Sequence, residues 1–222
     1  MDFETYIKNN YVDACKIQRS IIKDEKMKSM LQKGGEDTQL VMSWMRDYGL
    51  FQGITIQERE EVSNKFLSFA RSIGSTVDIT DKDALRNIYS KLFRLLFNAV
   101  NRSWMSATSK LLWCIYPDDI VIYDSFVYRA LVVMQCLDRG LSKFPRIGVA
   151  PKVTSESDIA SATSHYMNYQ GMVRHIYEHN IKILNELRNN YRETYPYDIR
   201  IIDKLLWMIG NPKHKFLIAA AV

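Results

Sequence analysis

The carboxylate of Asp124 stands between the apolar run "IVIY" and the segment "SFVYRAL", which opens a helix. An aspartate in that position caps a helix, because its side chain accepts hydrogen bonds from the free amides of the first turn. A second pair, His175 and His179 in "RHIYEH", lies four residues apart and so on one helical face, the separation of two metal ligands. No third ligand follows at a matching spacing, and the glutamate is not where a metalloprotease helix needs it. The two histidines are therefore expected to be surface or partly buried groups, with no metal and no cofactor. Cys15, Cys114 and Cys136 are odd in number and scattered, which suits reduced thiols and excludes a four-cysteine zinc or iron–sulfur site. No Gly-rich phosphate loop, serine elbow or Cys–His pair is visible. Trp44, Trp113 and Trp207 lie in apolar periodic segments and are expected in the core, whereas Trp104 stands beside Arg102 in a turn, where a core is hardest to build.

The elements that must position these groups are read from apolar spacing and its punctuation. "YIKNNYVDACKIQRSIIKDEKMKSMLQ" carries Tyr6, Val12, Cys15, Ile21 and Ile22 mostly at helical intervals, without Pro or Gly, and predicts one or two helices. Gly34 and Gly35 break the pattern, and Asp37 or Thr38 then caps a helix bearing Leu40, Val41, Trp44 and Met45 that stops near Gly49. Thr55 and Glu58 form a capping box ahead of Val62, Phe66 and Phe69. Thr80 and Asp83 are expected to cap "DALRNIYSKLFRLLFNAV", whose Leu85, Ile88, Leu92, Leu95, Leu96 and Ala99 line one face. "SKLLWCIY" follows after only "NRSWMSAT", so two helices meet across a short hairpin. The stretch "RGLSKFPRIGVAPKVTSESDIA", rich in Pro, Gly and basic residues, reads as a long surface loop. Two helices close the chain, at about 160–191 and 198–209. Strand-like alternation occurs only in "DIVIYD", so the fold class is all-α.

The 222 residues allow one substantial core or two small lobes. A formal charge of +5 and a pI near 9.0 lean mildly toward polyanions. No apolar run approaches the length of a membrane span, and the start "MDFETYIKNN" shows no secretory signal, so no membrane partner and a cytoplasmic location are expected.

"NRSWMSATSKLLWCI" followed by "IYDSFVYRAL" resembles the helix-hairpin-helix core of the base-excision DNA glycosylase superfamily. Ser106, Ala107 and Thr108 fall where that family writes Gly-x-Gly, Lys110 where its bifunctional members keep a lysine nucleophile, and Asp124 on its catalytic aspartate. Val127 and Arg129 repeat the family's residues three and five positions after the aspartate. The resemblance implies a two-lobed helical fold with a central cleft. Residues 38–137 would form a middle lobe with the hairpin at 101–109, and residues 1–37 plus 138–222 a second lobe. It also implies double-stranded DNA as partner, contacted by Arg102, Ser106, Ala107, Thr108, Ser109, Lys110, Lys143 and Arg146, with Gln52 filling the gap left in the duplex. Tyr48, Trp104, Trp113 and Tyr123 would line the pocket for the flipped base. Asp124 would stabilise an oxocarbenium-like sugar as the base departs or orient the attacking water. Lys110 has two possible roles, a Schiff-base nucleophile or a phosphate contact; the shortened separation between Lys110 and Asp124 favours the second and hence a monofunctional enzyme. The "SK" and "YDS" pairs are similar to those of bacterial host-defence members, which points to a modified or damaged base, such as a hypermodified phage base like glucosylated hydroxymethylcytosine. The alternative is a non-catalytic helical module that binds DNA or a protein, with Asp124 as a helix cap.

Overall fold

Helices make up the regular structure of this computed structural model, which describes residues 3–17, 21–73, 77–190 and 195–213; no strand occurs among them. The α-helices are α1 (Phe3–Lys16), α2 (Ile21–Gln32), α3 (Thr38–Asp47), α4 (Ile56–Ile73), α5 (Lys82–Val100), α6 (Met105–Ile115), α7 (Ser125–Leu137), α8 (Ile159–Asn190) and α9 (Asp198–Gly210). The fold is all-α, and no described helix is long and apolar enough to cross a membrane.

Two compact units divide the chain: a middle unit, Gln18–Asp119 with Ala150–Tyr166, and a terminal unit, Met1–Ile17 with Ile120–Val149 and Met167–Val222. The partition differs from 38–137 against the rest. α2 belongs with α3 to α6, because its polar side chains are tied to α3: Lys23 reaches Ser43 and Asp47, and Asp24 accepts from Trp44 and Tyr48. α7 belongs with α9, which packs against it, and α1 joins the same unit through its own contacts with α9.

In the middle unit, capping fixes where helices begin. Asp37 Oδ1 accepts from the Leu40 amide at 2.8 Å and starts α3; Thr55 and Glu58 form the reciprocal box ahead of α4. The cap of α5 is Asp81, which accepts from the Asp83 amide at 3.1 Å, while Thr80 is turned back onto Asp78. α5 buries Leu85, Ile88, Tyr89, Leu92, Phe93, Leu96 and Phe97. Asn101 ends it in the left-handed region (φ 46°), which an Asn tolerates, and its amide donates to Phe97 O at 2.7 Å. Residues 101–104 are all that separate α5 from α6. Tyr89 also stacks on Tyr166 at the start of α8, ring centroids 3.9 Å apart.

The terminal unit is organised around α9, which buries apolar residues on nearly every side: Ile199, Ile201, Ile202, Leu205, Leu206 and Met208. α1 offers Tyr6, Ile7, Tyr11 and Ala14, and α7 offers Val127, Ala130 and Leu131. At Gly210 α9 packs directly against the backbone of α7. A Cβ added there would lie 1.8 Å from the carbonyl oxygen of Phe126 and 3.2 Å from the amide nitrogen of Ala130. The buried charges of α9 are partnered within the unit: Arg200 pairs with Asp203, and the Lys204 ammonium lies 3.5 Å from the centre of the Tyr195 ring. The loop after α7 is held by side chains, with Asn168 donating to the Pro145 carbonyl at 2.9 Å and Gln135 making the most bonds. Gln135 donates to the carbonyls of Phe144 and Pro145 at 3.1 Å and accepts from the Ile147 amide at 3.0 Å.

Candidate functional site

Asp124 is the N-cap of α7. Its Oδ1 accepts from the Phe126 amide at 2.8 Å, and the side chain is half-buried. The segment before it, residues 120–123, is buried and lies outside any helix, and its partners are side chains of α8 and not a neighbouring strand. Gln170 Oε1 accepts from the Val121 amide at 2.7 Å. The Tyr169 hydroxyl donates to the Ile122 carbonyl at 2.9 Å and accepts from the Asp124 amide at 3.3 Å. Asp124 is thus fixed from both sides, by the helix it starts and by the tyrosine behind it. Tyr123 lies against Tyr169 with centroids 4.8 Å apart. Burial first, then the charges of Tyr128 and Asp124, push the Tyr123 hydroxyl up to about 12.

In the middle unit the expected hairpin is a four-residue turn, and Ser106, Ala107 and Thr108 already belong to α6. Ala107, Thr108 and Ser109 are fully buried. The Thr108 amide and hydroxyl both donate to the Trp104 carbonyl at 3.0 Å, and the Ser109 hydroxyl donates to Ser106 O at 3.1 Å. These three side chains are therefore not surface contacts for DNA, because a continuous helix turns them inward. Ser106 and Lys110, one turn apart, share the half-buried face, and no side chain caps the first turn of α6. Arg102 is exposed and donates to the Gln52 carbonyl at 2.6 Å, which pins the loop whose exposed tip is Gln52 and whose Gly53 has φ 71°.

Of the expected pocket aromatics, Trp113 is 2 % exposed and Trp104 6 %, so both are core. Trp104 is buried despite its place in the turn, because the left-handed step at Asn101 folds the turn back onto α5: Tyr89 of that helix reaches the Met105 carbonyl at 3.5 Å. Tyr123, 8 % exposed, is also packed in. Tyr48 alone of the four is half-exposed, with its hydroxyl on Asp24 and its ring 5.8 Å from the Lys110 ammonium. Asp24 itself carries no sequence motif and went unread. The one available signal was Trp44 and Tyr48 at i, i+4, two donors that converge on a single acceptor.

Lys143 and Arg146 are exposed in the terminal unit. Lys143 Nζ lies 3.3 Å from His175 Nδ1, and His175 and His179 stack edge-on with centroids 3.9 Å apart. No group of three metal-ligating side chains occurs among the described residues. Burial, then His179 and Lys143, lower the His175 pKa against the opposing pull of Asp138 and Glu178. Its neutral form is the folded one, so the unfolded chain takes up the proton first as pH falls. The stability of the wild type relative to His175→Gln is expected to be fully present above the unfolded histidine value of about 6.5 and to be lost as pH falls below it, read by denaturant unfolding across that range. A flat difference would contradict the packing described here.

Compared with protein-family models, curated proteins and solved structures, the chain matches none.

Proposed function

We propose that this protein is a monofunctional DNA glycosylase that releases a modified or damaged base by cleaving its N-glycosidic bond. The observation that supports it most is the half-buried carboxylate of Asp124, held by the Phe126 amide on a residue whose own backbone amide donates to Tyr169, beside buried Ile122 and Tyr123. A carboxylate held in that way costs little reorganisation when positive charge develops on a sugar, which is what a preorganised electrostatic catalyst requires. The uncapped first turn of α6, with Ser106, Lys110 and Arg102, suits phosphate, and Lys143 and Arg146 add exposed cations. Gln52, exposed on a pinned loop, suits insertion into the gap left by a flipped base. A hypermodified phage base is the substrate class the glycosylase resemblance favours, in a defence role.

Incubation with DNAs carrying different base modifications, followed by mass spectrometry of the released fraction, tests the activity. One modified base is expected to appear free, with the strand left unbroken; release of none from a wide panel removes the glycosylase assignment. Binding is expected to be salt-sensitive: with about four phosphate contacts, from Arg102, Lys110, Lys143 and Arg146, affinity for duplex DNA falls about a hundredfold between roughly 50 and 200 mM salt. An affinity that is level over that range argues against DNA as partner.

The second reading is a non-catalytic helical module for DNA or protein. The Oδ1 to Phe126 hydrogen bond favours it, since a cap needs nothing more.

A further inference from the structure

Asp24 is 6 % exposed, on a helix whose other charged side chains are half-buried or exposed. Such a carboxylate is costly to bury unless it is well paired, and here two donors of α3 and its C-cap meet it. Trp44 Nε1 donates to Oδ1 at 2.7 Å, and the Tyr48 hydroxyl lies 2.9 and 3.0 Å from the two oxygens. Trp44 and Tyr48 rest on one another, centroids 4.2 Å apart, so the carboxylate sets both rings at once. α6 brings Lys110 to the face of the Tyr48 ring, with its ammonium 5.8 Å from the centroid. Cys114, one turn beyond Lys110, is fully buried, and the charge of Asp24 adds to burial in raising its thiol pKa, which places the carboxylate against the same stretch of α6. Nothing about Lys110 in the glycosylase motif requires an aspartate on α2.

We infer that Asp24 is a positioning residue for Lys110. Its carboxylate fixes the Tyr48 ring through the hydroxyl, and the ring in turn gives the Lys110 ammonium a fixed seat from which it meets a phosphate oxygen of a bound strand. The phosphate rests on the DNA assignment above; the chain from Asp24 through Tyr48 to Lys110 does not. In this seat Lys110 serves as a charge toward phosphate, the role a phosphate contact needs, and not as a Schiff-base nucleophile.

Two measurements separate these layers. In lysine-labelled protein, the ε-methylene resonance of Lys110, assigned through Lys110→Ala, reports the ring current of Tyr48, and Tyr48→Ala sets its value without a ring. Asp24→Asn and Tyr48→Phe are each expected to move the resonance toward that value. The same two variants are expected to weaken duplex binding about two- to fivefold, the loss that matches one cation–π seat. In a Lys110→Ala background neither should weaken binding further, because the effect passes through Lys110. An unchanged resonance in both variants overturns the inference, as does an undiminished binding loss in the Lys110→Ala background. Tyr48→Phe keeps the test decisive if Asp24→Asn fails to fold. If the resonance moves but wild-type protein binds no duplex at any salt, the positioning chain stands and the DNA assignment falls.

Discussion

Asp124→Asn is expected to give a folded, DNA-binding protein that releases base at least about a hundredfold more slowly than the wild type, the cost of removing one preorganised electrostatic group. Asparagine caps as well as aspartate, so its side-chain oxygen still accepts from the Phe126 amide and α7 still begins where it does. The backbone bond to Tyr169 is untouched. What is lost is the charge, and with it the attraction to a cationic sugar that exists in the transition state and not in the bound duplex. Binding should hold or improve slightly, since a carboxylate repels phosphate. Lys110→Ala, by contrast, should keep measurable release while losing affinity. The measurements are single-turnover release of the free base and duplex affinity on the same preparations, with thermal unfolding as control. An Asn variant that releases base at the wild-type rate would falsify the catalytic role and leave Asp124 as a cap alone.

The largest effect on folding is expected at Gly210. Replacing a helical glycine with alanine ordinarily stabilises by about 1 kcal/mol. Here the added methyl group would stand 1.8 Å from the Phe126 carbonyl oxygen and 2.6 Å from its carbon, both backbone atoms that cannot rotate aside. α7 and α9 must separate, and overpacking of that kind costs about 3 kcal/mol or more. Gly210→Ala should therefore unfold at markedly lower denaturant than the wild type. A variant as stable as the parent, or more so, would show that the two helices do not approach as described.

The helices were legible because their signals are local. Caps at Asp37, Thr55 and Glu58, the stop at Gly49 and the apolar spacing of α5 each depend on residues within one or two turns. What could not be read depends on partners far along the chain. "DIVIYD" has the alternation of a strand, but residues 120–123 are all buried, because Tyr169 and Gln170 of α8 do the pairing that a second strand would do. Trp104 stands in a turn, where a core is hardest to build, and the left-handed step at Asn101 nonetheless buries it. Within the candidate site, Asp124 and its capping bond follow from sequence position, as do the exposed Arg102, Gln52, Lys143 and Arg146. Ala107, Thr108 and Ser109 did not, because their inward facing is decided by α6 starting at Met105, a helix start that no capping residue announces. Asp24 was hidden for a related reason: a carboxylate in a charged helix looks solvated until α3 is laid beside it.

The bonds that hold residues 121–124 come from residues 45 to 49 positions later in the chain. During synthesis, α6 and the turn that precedes it are complete well before α8 leaves the ribosome. The nascent chain therefore has Arg102 and Lys110 in place first and the bonds that fix the backbone of Asp124 last. A chain stalled or cut between Arg146 and Tyr169 keeps all four cations but leaves the backbone of Asp124 without its Tyr169 bond. Under the proposed glycosylase function, this order of assembly means that the capacity to hold a polyanion precedes the capacity to act on it, and that a chain carries both once it has reached Gln170.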